Sequence, residues 1–457
     1  MVQPAPINLI PAEISFQILS YLTLRDLKEF SICSKSCRHS AIPLIFRSIT
    51  FPSFGFGVDT SGGDNLETCQ KMVESSKNKD GALYLARMDV VHALLVCLEL
   101  NTVGQIARYF AACSEVLGNF HNLQTLAIIF HYPIDILNYV PDFHDRVFKG
   151  MFTHLSANCP GYSSLVGLSI NLTVGCHELE TPPKKESCSE GMEIEECKQF
   201  LSLNLTSEGS GVRNAPYPPS LEHFLMKTKV YTTNDTTRSQ HFNASLSGAF
   251  CGLSIIQCSI DTLNTIGFDF DLALLSDMEI SEPQPELPYK AIFPSVKTAT
   301  LNLSFLTALT KKYSLVLKEF LTRFPNIEDL DISHRRPSTD TYEEYISYFS
   351  HLAAVPTVRK LRIYWPRERA LPPSKPEMMT PDGLASLTRC LVENYGLQSL
   401  EEITFIRNNR TPTWEPYTIG KEFKARTCSV VRSCDGEIEV KVGEAETERK
   451  RIFDHYT

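Results

Sequence analysis

The chain has 457 residues, 43% hydrophobic and 21% charged, an ordinary globular balance that argues against disorder along its whole length. Its 44 basic and 53 acidic side chains leave a formal charge of −9, which speaks against nucleic acid or an anionic membrane as the partner. No run reaches the roughly 18 apolar residues of a membrane span, no secretory leader is expected, and 14 cysteines without a Cys-x-x-Cys pair read as reduced side chains of a cytoplasmic or nuclear protein.

Residues 9 to 49 are richer in apolar side chains than the rest and read as three short helices. Pro11 suits a first helical turn, where its missing N–H costs nothing. Ile14, Phe16, Ile18, Leu19, Tyr21 and Leu22 then spread over about 220° of the helix, too wide for one neighbour to cover. Thr23-Leu24-Arg25-Asp26 is a capping sequence for a second helix, with Leu24, Leu27 and Phe30 on its inner face. A third helix is predicted from about Ser34 to Ile42, ended or kinked by Pro43. A unit of ~40 residues with neither disulfide nor metal seldom holds itself together. It is either a docking module completed by another subunit or a cap on a larger core.

The residues of this stretch resemble an F-box. The resemblance is carried by Ile7 to Ile14, Ile18 to Leu22, Asp26-Leu27, Ser34 to Arg38 and Pro43 to Arg47, in that order over residues 7–48. It departs at Cys37, where the family usually has a bulky aromatic, and at Ser34, where a cysteine is frequent. The resemblance implies docking to a Skp-type adaptor and, through it, to a cullin–RING ligase. By the same analogy Ile10, Pro11, Ile14, Ile18, Leu22 and Leu27 make the adaptor contact, with Glu13 and Asp26 as helix-start charges.

Across residues 49–435 a pattern recurs: apolar, two residues, apolar, one residue, apolar. Its copies begin at Phe46, Leu85, Leu123, Leu165, Leu221, Leu263, Val296, Ile327, Val358 and Leu400. Each offers a short strand with one apolar face that neighbours must bury, which predicts an irregular leucine-rich-repeat-like solenoid built on a parallel sheet. The predicted fold class is α/β. Helices are expected over 314–324, 342–354 and 384–395. Segments 173–219, 277–290 and 366–382, acidic or proline-rich, read as inserted loops. Residues 436–457 read as a charged tail, with a last strand over 437–442 and a frayed end.

No phosphate loop, dinucleotide fingerprint, zinc-protease motif or nucleophile elbow occurs. Cys33 and Cys37 are expected to share a helical face with His39 turned elsewhere, and core packing is the better reading than zinc. No cofactor, metal or catalytic residue is expected. The predicted function is a non-catalytic substrate receptor of an SCF-type ubiquitin ligase, holding an unidentified protein substrate on the repeats. The alternatives are an interaction scaffold that supports no ubiquitin transfer, or a hydrolase or transferase hidden in the large domain. Arg359, Lys360, Arg362, Tyr364 and Trp365 form a candidate exposed basic-aromatic cluster, or simply a solvated strand edge.

Overall fold

The computed structural model describes residues 11–45, 48–51, 74, 93–99, 123–133, 148, 152–153, 155–175, 217–231, 252–271, 291–304, 318–334, 349–365, 380–407 and 422–449. The chain is a mixed α/β protein with a mostly parallel sheet and a few helices. It divides into two units: Met1–Phe130, Val147–Leu168 and Glu186–Pro219 in the first, His131–Arg146, Ser169–Lys185 and Ser220–Thr457 in the second.

The first unit opens on α1 (Ala12–Ser20), α2 (Leu24–Cys33) and α3 (Lys35–Ile45). Pro11 precedes α1 in an extended conformation, and its carbonyl accepts from the Ser15 N–H at 2.9 Å. α2 begins at the expected capping box: the Asp26 N–H donates to Thr23 Oγ1 at 3.2 Å and the Thr23 N–H to Asp26 Oδ2 at 3.3 Å. Ser34 is extended, at φ −160° and ψ 167°, and ends α2. Its hydroxyl accepts from the Cys37 N–H at 3.0 Å, so the same residue opens α3. Cys33 and Cys37 are therefore on different helices and share no face. Pro43 does not end α3, which continues to Ile45. A proline in the last turn removes a single i→i−4 bond, and two residues later the helix stops anyway.

Leu19, Leu27, Ala41 and Leu44 form the core of the trio, with Phe30 and Ile45 packed against them. β1 (Ser48–Phe51) pairs in parallel with β2 (Ala93–Glu99), Ser48 opposite Ala93. β3 (Thr125–Pro133) and β4 (Gly167–Gly175) follow, and the Gln124 carbonyl accepts from the Val166 and Gly167 N–H groups at 2.8 and 2.9 Å. The Phe152 ring packs against Phe148, Tyr162 and Tyr217, the last edge-on at 5.7 Å between centroids. The expected insertion 173–219 is thus shorter than read: residues 173–175 finish β4, and Tyr217 and Pro218 are buried. Residues 176–216 lie outside the described residues, as do 277–290.

In the second unit β5 (His223–Tyr231), β6 (Thr265–Asp271), β7 (Thr298–Ser304), β8 (Asp329–His334), β9 (Lys360–Trp365) and β10 (Glu402–Arg407) pair in parallel and in chain order. The register carries the sequence pattern from strand to strand. Phe224, Ile266, Ala299, Leu330, Leu361 and Ile403 align in one row, and Met226, Phe268, Leu301, Ile332, Ile363 and Phe405 in the next. All are buried, as are the residues that begin each copy from Leu221 to Leu400. The triads beginning at Leu123 and Leu165 are buried too. The copy at 85 and Phe46 lie outside the described residues.

One backbone device repeats between the copies. The carbonyl of the residue after each first apolar position accepts two N–H groups from the next copy: Glu222 from Asn264 and Thr265, Asn264 from Lys297 and Thr298, Lys297 from Glu328 and Asp329, Glu328 from Arg359 and Lys360, Arg359 from Glu401 and Glu402, all within 2.8–3.1 Å. Side chains repeat a second one. The Ser295 hydroxyl donates to the Ile260 carbonyl, Asn326 Nδ2 to the Pro294 carbonyl at 2.9 Å and Thr357 Oγ1 to the Pro325 carbonyl at 2.9 Å. The turns ahead of β7, β8 and β9 are thereby tied one to the next.

The sheet is not parallel throughout. β11 (Glu422–Arg432) and β12 (Ile438–Arg449) are antiparallel to their neighbours. Only residues 433–437 join them, with Gly436 at φ 82°, and a parallel return needs a dozen or more residues. Residues 438–449 of the expected tail are accordingly part of the sheet, paired along β11 well past residue 442, and 450–457 lie outside the described residues. Arg432 closes the last copy: Nη1 donates to the Leu400 carbonyl at 2.7 Å and Nη2 to the Leu397 carbonyl at 3.2 Å.

Behind the sheet, α4 (Pro381–Tyr395) buries Leu384, Leu387, Leu391 and Val392. Thr380 Oγ1 accepts from the Gly383 N–H at 3.2 Å, so the helix starts a turn earlier than expected and takes the end of the 366–382 insertion. Gly396 at φ 69° stops it. Residues 318–321 are helical within the expected 314–324 stretch. The described end of 342–354 is a 3-10 turn, Phe349–Ala354, in which Phe349 and Leu352, three apart, face the core together.

Candidate functional site

The trio has too small a core for the apolar residues it carries. Of those on α1, Leu19 is taken inward. Ile14, Phe16 and Ile18 stay 47%, 41% and 51% exposed, Leu22 just beyond the helix is 37% exposed, and Tyr21 is 89% exposed. On α2, Ile32 adds a further open side chain. Water contact at a large apolar side chain forgoes about 1.5–3 kcal/mol that full burial would return. Ile14 and Ile18 share one side of α1 while Phe16 projects from nearly the opposite side, so a helix only about 13 Å long leaves apolar side chains open in more than one direction.

The six residues expected to contact a partner divide. Ile14, Ile18 and Leu22 lie on the open face, and Pro11 is exposed at its start. Leu27 does not join them; it is 5% exposed inside the core, and its role is to hold α2 in place. Ile10 lies outside the described residues. Phe16, Tyr21 and Ile32 are exposed as well. Phe16 and Tyr21 were among the apolar residues of the over-wide helix. Ile32 was not singled out, although at ~100° per residue it lies about 140° from the centre of the inner positions Leu24, Leu27 and Phe30. The trio also exposes Lys28, Lys35 and Arg38. Arg25 pairs with Glu29 at 3.2 Å, both largely in water, where such a pair contributes little.

The Cys33 thiol donates to the Glu29 carbonyl at 3.5 Å and Cys37 is buried. Burial pushes the Cys159 thiol up to about 11 and raises Cys428 as well, which keeps both protonated and inert. Among the described residues no group of three or more His, Cys, Asp or Glu side chains is placed to hold a metal. No helix among them is long and apolar enough to cross a membrane.

Of the basic cluster, Arg359, just ahead of β9, is held in an ion pair. Arg359 donates to Glu401 Oε1 from Nη2 at 2.7 Å and from Nε at 2.9 Å. Lys297 Nζ donates to Glu328 Oε1 at 2.7 Å. These four residues hold equivalent places in successive copies, so their charges alternate down one row. The Lys297 hydrogen bond and charge, aided by Arg359, hold the Glu328 carboxyl below its ordinary range. The bond to Glu401 raises Arg359 in turn. Lys360 and Arg362 stand in register with Asp329 and Asp331. Burial pushes the Asp329 carboxyl up, against the pull of Arg362 and Lys360. Tyr364 and Trp365 belong to β9, and their side chains lie outside the described residues.

No family model and no curated protein matches this chain.

Proposed function

We propose that the chain is the substrate receptor of a cullin–RING ubiquitin ligase. The α1–α3 trio serves as an F-box that docks a Skp-type adaptor. The register-matched strands serve as a leucine-rich-repeat-like solenoid that holds a protein substrate. The observation that carries the reading is the exposure of Ile14, Phe16 and Ile18 on α1 and of Leu22 just past it, large apolar side chains left in water. The repeating buried triads support the second half, since neighbours that bury one another's strands make an extended surface available for a partner. The mechanism is proximity: a bound substrate is held near the transferring enzyme at a raised effective concentration, and this chain does no covalent chemistry.

The test is co-purification of the full chain with a Skp-type adaptor. Ile18→Asp and Leu22→Asp each place a charge in a dry contact and are expected to lower capture by about tenfold or more. Both are surface changes in the free chain, so the far-ultraviolet circular dichroism stays as it was. Undiminished capture by both variants, or no capture by the unaltered chain, overturns the docking reading. Adaptor capture without ubiquitin transfer to any bound protein in a reconstituted ligase would leave an interaction scaffold.

A further inference from the structure

The sheet of the second unit ends on an unusual edge. β12 has 12 residues, about twice the common strand length, and among the described residues it hydrogen-bonds only to β11. The Ser433 N–H donates to the Glu437 carbonyl at 3.0 Å and closes the turn ahead of it. Antiparallel alternation from that pair turns the N–H and C=O groups of Glu439 and Lys441 toward β11. Those of Ile438, Val440 and Val442 are left on the outer edge. From Gly443 to Glu446 every residue is exposed, on both faces of the strand.

Acidic side chains predominate along this edge. Asp435, Glu437, Glu439, Glu444 and Glu446 are all exposed; against them stand Lys441, 3.6 Å from Glu439, Arg426 of β11 in register with Ala445, and Arg449 at the end of β12. Arg432 does not help, because its guanidinium is turned to the Leu397 and Leu400 carbonyls. Glutamates so placed oppose addition of a second copy, which would lay acid against acid. An extended strand bearing cations at alternate positions would find main-chain partners and opposite charge together.

We propose that the free edge of β12 takes up an extended, Lys/Arg-bearing segment of a partner protein as one further strand. That this partner is the ligase substrate rests on the reading above; the edge site itself does not. The probe is a fluorescein-labelled ten-residue peptide of alternating lysine and threonine, followed by anisotropy with the full chain. The expected result is saturable binding, protection of the Ile438, Val440 and Val442 amides from hydrogen exchange, and no binding of the matched glutamate–threonine peptide. The lysine peptide methylated on alternate backbone nitrogens keeps its charge but cannot pair as a strand, and it is expected to lose about tenfold or more in affinity. E439K/E446K is expected to lose about as much with an unchanged melting temperature. Equal binding of the methylated peptide reduces the edge to a polyanion that attracts any polycation and overturns the proposal, as does undiminished binding by the double variant. Peptide binding in a chain that captures no adaptor would remove the ligase reading and leave the edge site. Adaptor capture without peptide binding would do the reverse.

Discussion

Gly252 shows how tightly single residues constrain the second unit. A Cβ there would meet Met226 Sδ at 2.6 Å and Phe268 Cε1 at 3.0 Å. Methionine can yield, but the Phe268 ring is itself held against Phe224 and Phe320, at 5.6 and 5.0 Å between centroids. Gly252→Val is therefore expected to cost about 1–3 kcal/mol, read as a lower midpoint in urea. Asp329 and Glu328 make a second case, adjacent in sequence and opposite in sign. The raised Asp329 carboxyl means the folded state holds its proton more tightly than the unfolded chain does. Its ionisation therefore weakens the fold as pH rises through the raised range. Asp329→Asn is expected to raise the melting temperature at neutral pH, and the gain should vanish below the ordinary aspartate range. Glu328, held low by Lys297, stabilises above the ordinary glutamate range and loses that as pH falls. Glu328→Gln should thus lower the melting temperature at neutral pH by a small amount, with the difference closing in acid. Neither site was legible in the sequence, because Lys297, Glu328, Arg359 and Glu401 become neighbours only when the copies stack.

At the scale of elements, the caps were legible and the joints only in part. Thr23 and Asp26 sit three apart ahead of an apolar run, and the structure joins them as that spacing requires. Thr23→Ala is expected to cost about 1 kcal/mol, seen as a lowered thermal midpoint of the trio. Leu27→Ala, which empties part of the small core, should cost about 2–5 kcal/mol by the same measurement. Ile18→Asp by contrast should cost almost nothing, and that contrast separates a face open to partners from one already filled. The break at Ser34 was visible as the start of a third helix; what the spacing did not show is that Ser34, extended, puts Cys33 and Cys37 on different helices. Pro43 misled for a different reason. Its effect depends on how many turns remain beyond it, which the sequence does not state. The β11–β12 hairpin was half visible, since the alternation of Ile438, Val440 and Val442 marked a strand. Its direction follows from the brevity of 433–437, and its true length from pairing with β11.

Across the molecule, the legible part is the part in which one physical requirement repeats. A first apolar residue, another three on and a third two further predict burial at eight described places, and each is buried. Irregular spacing did not matter, because the register is set by the strands and not by what joins them. Among the described residues of the second unit, each strand from β6 to β11 pairs only with the strands before and after it in sequence. Stability in such a ladder passes between nearest neighbours, so damage should spread outward from where it is made. Leu330 tests this, buried at the centre of β8 between Ala299 and Leu361. Leu330→Ala is expected to cost about 2–5 kcal/mol, and hydrogen exchange should quicken first in β7 and β9, before β5 or β12. Simultaneous loss of protection from β5 to β12 would mean that the strands form one cooperative core, and that the row of carbonyls from Glu222 to Arg359 aligns the copies without making their stability local.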